Sequence, residues 1–210
     1  NAEKAIKSFQ KDPIVATQSQ FTDLLMAEAS PVYGKLDDLL DRNYKIYMAA
    51  LLEKEQDRML YPDANFTMRF TYGKVDPYKP RDGVEYRYYT TLSGVMDKAT
   101  EGFEDYAVPA KLRELYEAKD FGKYGVNGTM PVCFIATNHT SGGNSGSPVM
   151  DADGRLIGIN FDRNWEGTMS DVHYDPSLCR NITVDIRYVL FIIDKFAGAD
   201  YLLDEMDIVW

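Results

Sequence analysis

The chain has 210 residues, 45% of them hydrophobic, and a net charge of −10 at pH 7. A chain of this length can bury one good hydrophobic core. Its acidic balance argues against binding to nucleic acid or to an anionic membrane surface, because both need clustered Lys and Arg, and no apolar run reaches the roughly 20 residues of a membrane-spanning helix.

The first sixty residues or so are predicted to be helical. Asp12 followed by Pro13 is a typical helix start, because Asp caps the first N–H groups and Pro fits the first turn. The pair Ser30-Pro31 repeats this signal. Apolar residues then recur at helical spacing, separated by charged residues, up to about residue 61. This pattern predicts a long amphipathic helix that must pack on something else.

From Pro62 onward the sequence predicts strands with a few short helices. Residues 66–72 alternate apolar and polar side chains, and residues 84–91 are rich in Tyr and Thr, so both segments are predicted strands. The remaining predictions are short helices at 93–100 and 109–119, a buried strand at 131–137, a hairpin at 147–161 that turns at Asp153-Gly154, a strand at 181–186, a helix at 187–197 ended by Gly198, and a turn at 200–205.

The most informative stretch is TSGGNSGSPV, residues 140–149. A serine nucleophile needs a tight turn that exposes its hydroxyl and backbone N–H groups that face the developing oxyanion. Ser145 would be the nucleophile, and the N–H groups of Gly143 and Ser145 would be the two donors. The alternative is a glycine-rich turn with an uninvolved serine. The surrounding order of strand, turn, hairpin and helix favours the nucleophile, and a GxSxG elbow does not fit because residue 147 is Ser.

This stretch resembles a known family. GNSGSP resembles the GDSGGP motif of chymotrypsin-like peptidases, and the longer stretches at 61–75 and 142–171 resemble bacterial dipeptidyl peptidases that combine a chymotrypsin-like double barrel with an inserted helical domain. The resemblance implies a mainly β fold with α-helices. Residues 1–61 would be the C-terminal part of the α-helical insert domain. Residues 62–210 would be the second, nucleophile-bearing six-stranded β-barrel with its C-terminal helix.

Within that family, Asp162-Arg163 resembles the dipeptidyl-peptidase 11 branch, which cuts after Asp or Glu; the branch that prefers apolar residues has Gly in place of Arg163. A dipeptidyl peptidase must hold the free α-ammonium of its substrate, which suits the carboxylate of Asp162. A guanidinium offers an acidic side chain a bidentate partner, which suits Arg163. Phe161 precedes the pair and is expected to contact substrate as well. The alternative is a surface ion pair between Asp162 and Arg163.

A general base for Ser145 is harder to place. The chain has two histidines, His139 and His173, and neither lies where a chymotrypsin-like fold puts its base, which comes from the first barrel. We interpret both as ordinary polar residues. Because the sequence also starts at Asn1 without Met, we expect a C-terminal fragment whose triad His and Asp are encoded upstream.

The resemblance also implies partners and location. The substrates would be oligopeptides with a free N-terminus and an acidic second residue, the enzyme would be a homodimer in the periplasm or at the cell surface, and no metal or organic cofactor would be needed. Cys133 and Cys179 could pair or remain free, and two free thiols are favoured. A competing hypothesis is a non-catalytic interaction or regulatory domain that retains a peptidase motif.

Overall fold

The computed structural model describes residues 8–9, 11–57, 60, 67–99 and 102–210. The chain divides into two compact units, Asn1–Tyr61 and Pro62–Trp210. The first contains helices alone among its described residues, and the second contains all the strands that the structure describes.

The first unit consists of helix α1 (Pro13–Leu24), a π-helical segment (Leu25–Ala29) and helix α2 (Ser30–Lys54). The predicted cap is present, since Asp12 Oδ1 accepts a hydrogen bond from the N–H of Ile14 at 2.8 Å. An α-helix does begin at Ser30 with Pro31 in its first turn, but Ala29 rather than Ser30 occupies the cap position, and the π-helical segment runs into the helix without a break. Because Pro31 has no N–H and crowds the preceding turn, the helix widens into a π turn there and continues.

Helix α2 ends at Lys54, earlier than the predicted end near residue 61. Glu55 leaves the helical conformation with φ −110° and ψ 57°. Neither α1 nor α2 buries a residue. In the described part of the chain, no helix is both long enough and apolar enough to cross a membrane.

The second unit contains seven strands and three α-helices among its described residues. The strands are β1 (Tyr78–Arg81), β2 (Val84–Tyr86), β3 (Tyr89–Thr91), β4 (Pro131–Ala136), β5 (Pro148–Met150), β6 (Leu156–Arg163) and β7 (Asn181–Asp185). The helices are α3 (Leu92–Lys98), α4 (Ala110–Glu117) and α5 (Ile186–Phe191), which continues as a π-helical segment Ile192–Phe196. Short 3₁₀ helices lie at Glu104–Tyr106, Gly122–Tyr124, Trp165–Asp171 and Asp200–Glu205.

Five of these strands form one antiparallel sheet in the order β3-β4-β7-β6-β5, and β1 and β2 form a separate ribbon. The predicted mixture of β-sheet and helices is thus confirmed. The main sheet has five strands in the described residues, where six were expected. Beyond β3, the same edge of β4 is continued by residues 74–76, with an isolated bridge between Val75 and Ala136.

Two predicted strands differ in the structure. Residues 67–72 of the predicted strand at 66–72 are not in a regular strand, and Phe66 lies outside the described residues. Met68, Phe70 and Tyr72 are 84%, 82% and 82% exposed, so the alternating apolar side chains face outward. The polar residues between them face the protein instead. The predicted strand at 84–91 is split at residues 87–88 into β2 and β3, which belong to different sheets.

The hydrophobic core lies between the helices and the start of β4. Its buried members are Leu92, Leu112, Phe121, Tyr124, Met130, Leu190 and Phe191. The predicted hairpin, with Gly154 at φ 80° in its turn, and the predicted C-terminal helix, followed by Gly198 at φ 65°, are both confirmed. Cys133 and Cys179 are free thiols, and burial raises the pKa of Cys133.

Candidate active site

The turn that carries Ser145 connects β4 to β5. Gly143 and Gly146 have φ angles of 91° and 83°, in the left-handed region that side chains with a Cβ rarely adopt. The N–H groups of Asn144 and Ser147 close this turn onto the carbonyls of Ser141 and Asn144. Ser145 is therefore held at the exposed tip of a tight turn whose shape depends on its glycines.

The two predicted oxyanion donors are available in this turn. The N–H groups of Asn144, Gly146 and Ser147 are all hydrogen-bonded within the protein. Those of Gly143 and Ser145 have no acceptor among the residues that the structure describes. Unpaired N–H groups beside a nucleophile are what an oxyanion hole requires in the absence of substrate.

Asn144 fixes the turn from the side opposite the solvent. Its side-chain oxygen Oδ1 accepts from the N–H of Ser141 at 2.9 Å and from Nη2 of Arg69 at 2.7 Å, and the same Nη2 lies 3.0 Å from Ser141 Oγ. Its carbonyl accepts from the amide Nδ2 of Asn160, which is 5% exposed. This network joins the turn to residues far away in sequence, and sequence reasoning did not find Arg69 or Asn160.

A β-bulge lies between Ser145 and the predicted substrate-binding residues. The register between β6 and β7 shifts between Asn160 and Asp162, which leaves Phe161 outside the ladder. The carbonyl of Phe161 accepts a hydrogen bond from Ser145 Oγ at 3.2 Å. Bulges of this kind often redirect backbone and side chains beside functional sites. Here the bulge presents the carbonyl of Phe161 to the hydroxyl of Ser145.

The three predicted substrate-binding residues are the last three of β6, and Phe161 among them contacts Ser145. Phe161 is 42% exposed. Asp162 is also exposed, and it does not form the ion pair with Arg163 that was the alternative interpretation. Its Oδ1 accepts from the backbone N–H of Arg163 at 2.8 Å, and its other carboxylate oxygen has no donor among the described residues.

The guanidinium of Arg163 binds Asp171 instead. Nη1 and Nη2 of Arg163 lie 2.9 Å from Oδ1 and Oδ2 of Asp171, and Nη1 also donates to Ser170 Oγ at 2.6 Å. This pairing raises the pKa of Arg163 and lowers the pKa of Asp171, so both groups stay charged. Sequence reasoning missed Asp171, because only the 3₁₀ helix Trp165–Asp171 brings its carboxylate back to β6.

Neither histidine is bonded to Ser145 in the described part of the chain. Nε2 of His139 lies 3.1 Å from the carbonyl of Ser170, and its ring packs edge-on against Tyr174 at 4.7 Å. The backbone N–H of His173 donates to the carbonyl of Met169. Among the described residues, no group of three or more His, Cys, Asp or Glu side chains is arranged to hold a metal ion.

The known proteins to which this chain is similar include bacterial dipeptidyl peptidases. The peptidase S46 family model matches residues 1–208. The chain is 50% identical over 209 residues to an Asp/Glu-specific dipeptidyl-peptidase of Flavobacterium psychrophilum, covering 100% of this chain and 29% of that protein. It is 50% identical over 205 residues to dipeptidyl-peptidase 7 of Phocaeicola vulgatus, covering 97% of this chain and 28% of that protein.

The chain is also similar to solved structures of dipeptidyl peptidases. The crystal structure of Porphyromonas endodontalis DPP11 in complex with the dipeptide Arg-Glu superposes with a TM-score of 0.84 at 45% identity, covering 96% of this chain and 30% of that one. The chain therefore spans less than a third of the length of the relatives and structures it matches. The predicted kinship with dipeptidyl peptidases is confirmed, and the chain belongs to the peptidase S46 family.

Proposed function

We propose that this chain is the nucleophile-bearing C-terminal portion of a serine exopeptidase that releases N-terminal dipeptides with Asp or Glu in second position. One observation carries the proposal. The hydrogen bond of 3.2 Å from Ser145 Oγ to the carbonyl of Phe161 holds the proposed nucleophile against β6, and Asp162 and Arg163 are the next two residues of that strand. An exopeptidase that releases dipeptides must bind the α-amine and the second side chain of its substrate. The enzyme groups that do so must lie at a short, fixed distance from the attacking atom.

In the proposed reaction, Ser145 Oγ attacks the carbonyl carbon after the second substrate residue. Its proton passes to a general base contributed by the rest of the protein. The oxyanion that forms accepts hydrogen bonds from the N–H groups of Gly143 and Ser145. The C–N bond then breaks, the amine leaves with a proton, and water hydrolyses the acyl-enzyme to release the dipeptide and restore Ser145.

The proposed substrate contacts follow from the end of β6. The carboxylate oxygen of Asp162 that has no donor among the described residues would accept the α-ammonium of the substrate. Arg163, whose side chain is 25% exposed, would bind the acidic side chain. Phe161, 42% exposed, would cover the apolar part of the dipeptide. The homodimer, the location in the periplasm or at the cell surface, and the absence of any cofactor belong to the same proposal.

The specificity role of Arg163 is tested by the variants Arg163→Gly and Arg163→Lys in the full-length protein. Removing one side of a desolvated charge pair is expected to lower kcat/KM for Asp- and Glu-containing substrates by about 10²-fold. Arg163→Lys should recover only part of this loss, because an ammonium group cannot form the two parallel hydrogen bonds that a guanidinium gives a carboxylate. Leu- and Met-containing substrates should be cleaved as well as before or better.

The measurement uses fluorogenic dipeptides that differ only in the residue before the cut. A matched control is Arg155→Met, which removes an exposed arginine paired with Asp153 in the hairpin turn. If the ratio of acidic to apolar kcat/KM is the same in Arg163→Gly as in the wild type, Arg163 does not determine specificity and the proposed substrate class is wrong.

A further inference from the structure

The guanidinium of Arg163 uses only part of its hydrogen-bonding capacity. Its end face, formed by Nη1 and Nη2, is occupied by both oxygens of Asp171 at 2.9 Å, and the second hydrogen of Nη1 is taken by Ser170 Oγ at 2.6 Å. A guanidinium carries five N–H donors. Three are therefore used, while Nε and the second hydrogen of Nη2 have no acceptor among the described residues.

The two remaining donors form a second binding edge. The Nε–H and the Nη2–H next to it point in the same direction, at a spacing that suits the two oxygens of a carboxylate. The side chain of Arg163 is 25% exposed, so it is not sealed off from a ligand. This edge lies on the side of the guanidinium away from Ser170.

Arg180 provides an internal comparison. Its side chain is 4% exposed and all five of its N–H donors bind protein oxygens: Nε to Asp76, Nη1 to Pro176 and Cys179, and Nη2 to Asp76 and Pro77. An arginine used in this way holds loops together and has nothing left for a ligand. Arg163 differs because one complete edge remains available.

The partners of Arg163 are themselves firmly held. Ser170 is 5% exposed, and its carbonyl lies 3.1 Å from Nε2 of His139. The 3₁₀ helix that carries Ser170 and Asp171 starts beside Asn164, which is 7% exposed and bonded to Arg180 N–H at 2.8 Å and to the carbonyl of Leu178 at 2.8 Å. Asp171 is thus presented by a fixed element.

We propose that Asp171 is a positioning residue for the recognition of acidic substrates: it clamps the end face of Arg163 so that the Nε–Nη2 edge receives the substrate carboxylate. This inference rests on the proposed function. Asp171 is half exposed, so water screens the repulsion between its charge and the substrate. The clamp also keeps the long arginine side chain from sampling other rotamers, which lowers the cost of ordering it when substrate binds.

The test is a double-mutant cycle in the full-length protein with Asp171→Asn, Arg163→Gly and the combined variant. Substrates with Glu or its neutral isostere Gln before the cut report recognition of the charge alone. Asp171→Asn should lower the Glu-to-Gln ratio of kcat/KM by about tenfold, mainly by raising KM for the Glu substrate. In the Arg163→Gly background the same change should have no further effect on the ratio, because Asp171 acts through Arg163.

Two further variants separate positioning from general damage. Asp171→Glu keeps the carboxylate and should recover part of the ratio. Asp153→Asn removes an exposed carboxylate that pairs with Arg155 at 3.2 Å in the hairpin turn, and it should leave the ratio unchanged. Circular dichroism and thermal unfolding of each variant show whether it is folded.

The outcomes are distinct. If Arg163→Gly does not change the Glu-to-Gln ratio, the proposed function and this inference both fail. If Arg163→Gly collapses the ratio but Asp171→Asn leaves it unchanged or raises it, only the inference fails. An equal effect of Asp171→Asn with and without Arg163 would likewise show that Asp171 does not act through the guanidinium.

Discussion

At the scale of single residues, the hydroxyl of Ser145 makes a structural hydrogen bond and would also be the attacking group in the proposed reaction. In the structure it donates to the carbonyl of Phe161 at 3.2 Å. To attack a substrate it must leave this carbonyl and turn its proton toward a base. The proposed nucleophile is thus hydrogen-bonded to β6, the strand that carries the proposed specificity residues. Substrate that binds at the end of β6 would therefore bind beside the hydrogen bond that the hydroxyl must break.

Replacing Ser145 with Ala in the full-length protein should abolish turnover and leave dipeptide binding largely intact. The hydroxyl is used in bond formation, and loss of a triad member lowers the rate by about 10⁴-fold or more. Turnover is followed with a fluorogenic dipeptide and binding by calorimetry. Ser147→Ala, which removes a hydroxyl two residues away, serves as the control. Activity above a trace in Ser145→Ala would mean that another residue is the nucleophile.

The site residues differ in how far the sequence can predict them. Ser145 and Gly143 were predicted from a local motif, and Arg163 was predicted from its resemblance to the acid-cutting branch of the family. Arg69 could not be predicted, because it contacts Ser141 and Asn144 across 72 and 75 residues. Asp171 is only eight residues from Arg163, but the turn that joins them has no sequence signal of its own.

At the scale of elements, Arg180 joins two segments that are far apart in the chain. Its buried side chain binds residues 76–77, before β1, and residues 176–179, before β7. The guanidinium also lies over the ring of Tyr78 at 5.6 Å. Because β7 is the centre of the main sheet, this side chain fixes the loop before it and the segment that leads into the ribbon.

Arg180→Met should lower the free energy of unfolding by about 1–3 kcal/mol, because it leaves several carbonyls without their donors in a buried site. The penalty is moderated by Asp76, which is half exposed and can be hydrated once its partner is gone. Urea denaturation followed by circular dichroism measures the change. Arg155→Met, at an exposed pair, should cost less than about 0.5 kcal/mol. Equal effects of the two variants would contradict a structural role for Arg180.

Local signals predicted most elements of the second unit. The Asp153-Gly154 turn gave the hairpin, and the Gly198 stop gave the end of the last helix. The segment at 66–72 has strand periodicity, yet the structure holds it through the side chain of Arg69 and the carbonyl of Thr71, which accepts from Asn138 Nδ2 at 3.2 Å. Alternation indicates which residues share a face, but not which face is buried.

At the scale of the whole molecule, no histidine of this chain is bonded to Ser145 in the described residues. We expect the 210-residue chain on its own to hydrolyse dipeptidyl substrates barely or not at all, since serine without a base is a weak nucleophile. Purified chain and full-length protein are compared at equal concentration with the same Glu-containing substrate. Comparable turnover would overturn the expectation, and His139→Ala and His173→Ala would then show which histidine is the base.

The outward-facing row of Met68, Phe70 and Tyr72 has a consequence for how this chain behaves in bulk solution. These side chains form an exposed apolar patch on a chain whose net charge is −10. In dilute buffer, mutual repulsion between copies keeps such particles dispersed. At about 0.15 M salt that repulsion reaches only about 8 Å, so the apolar patches of neighbouring copies can come into contact. We therefore expect added salt to shift the chain from dispersed copies toward self-association, which light scattering at increasing ionic strength would measure.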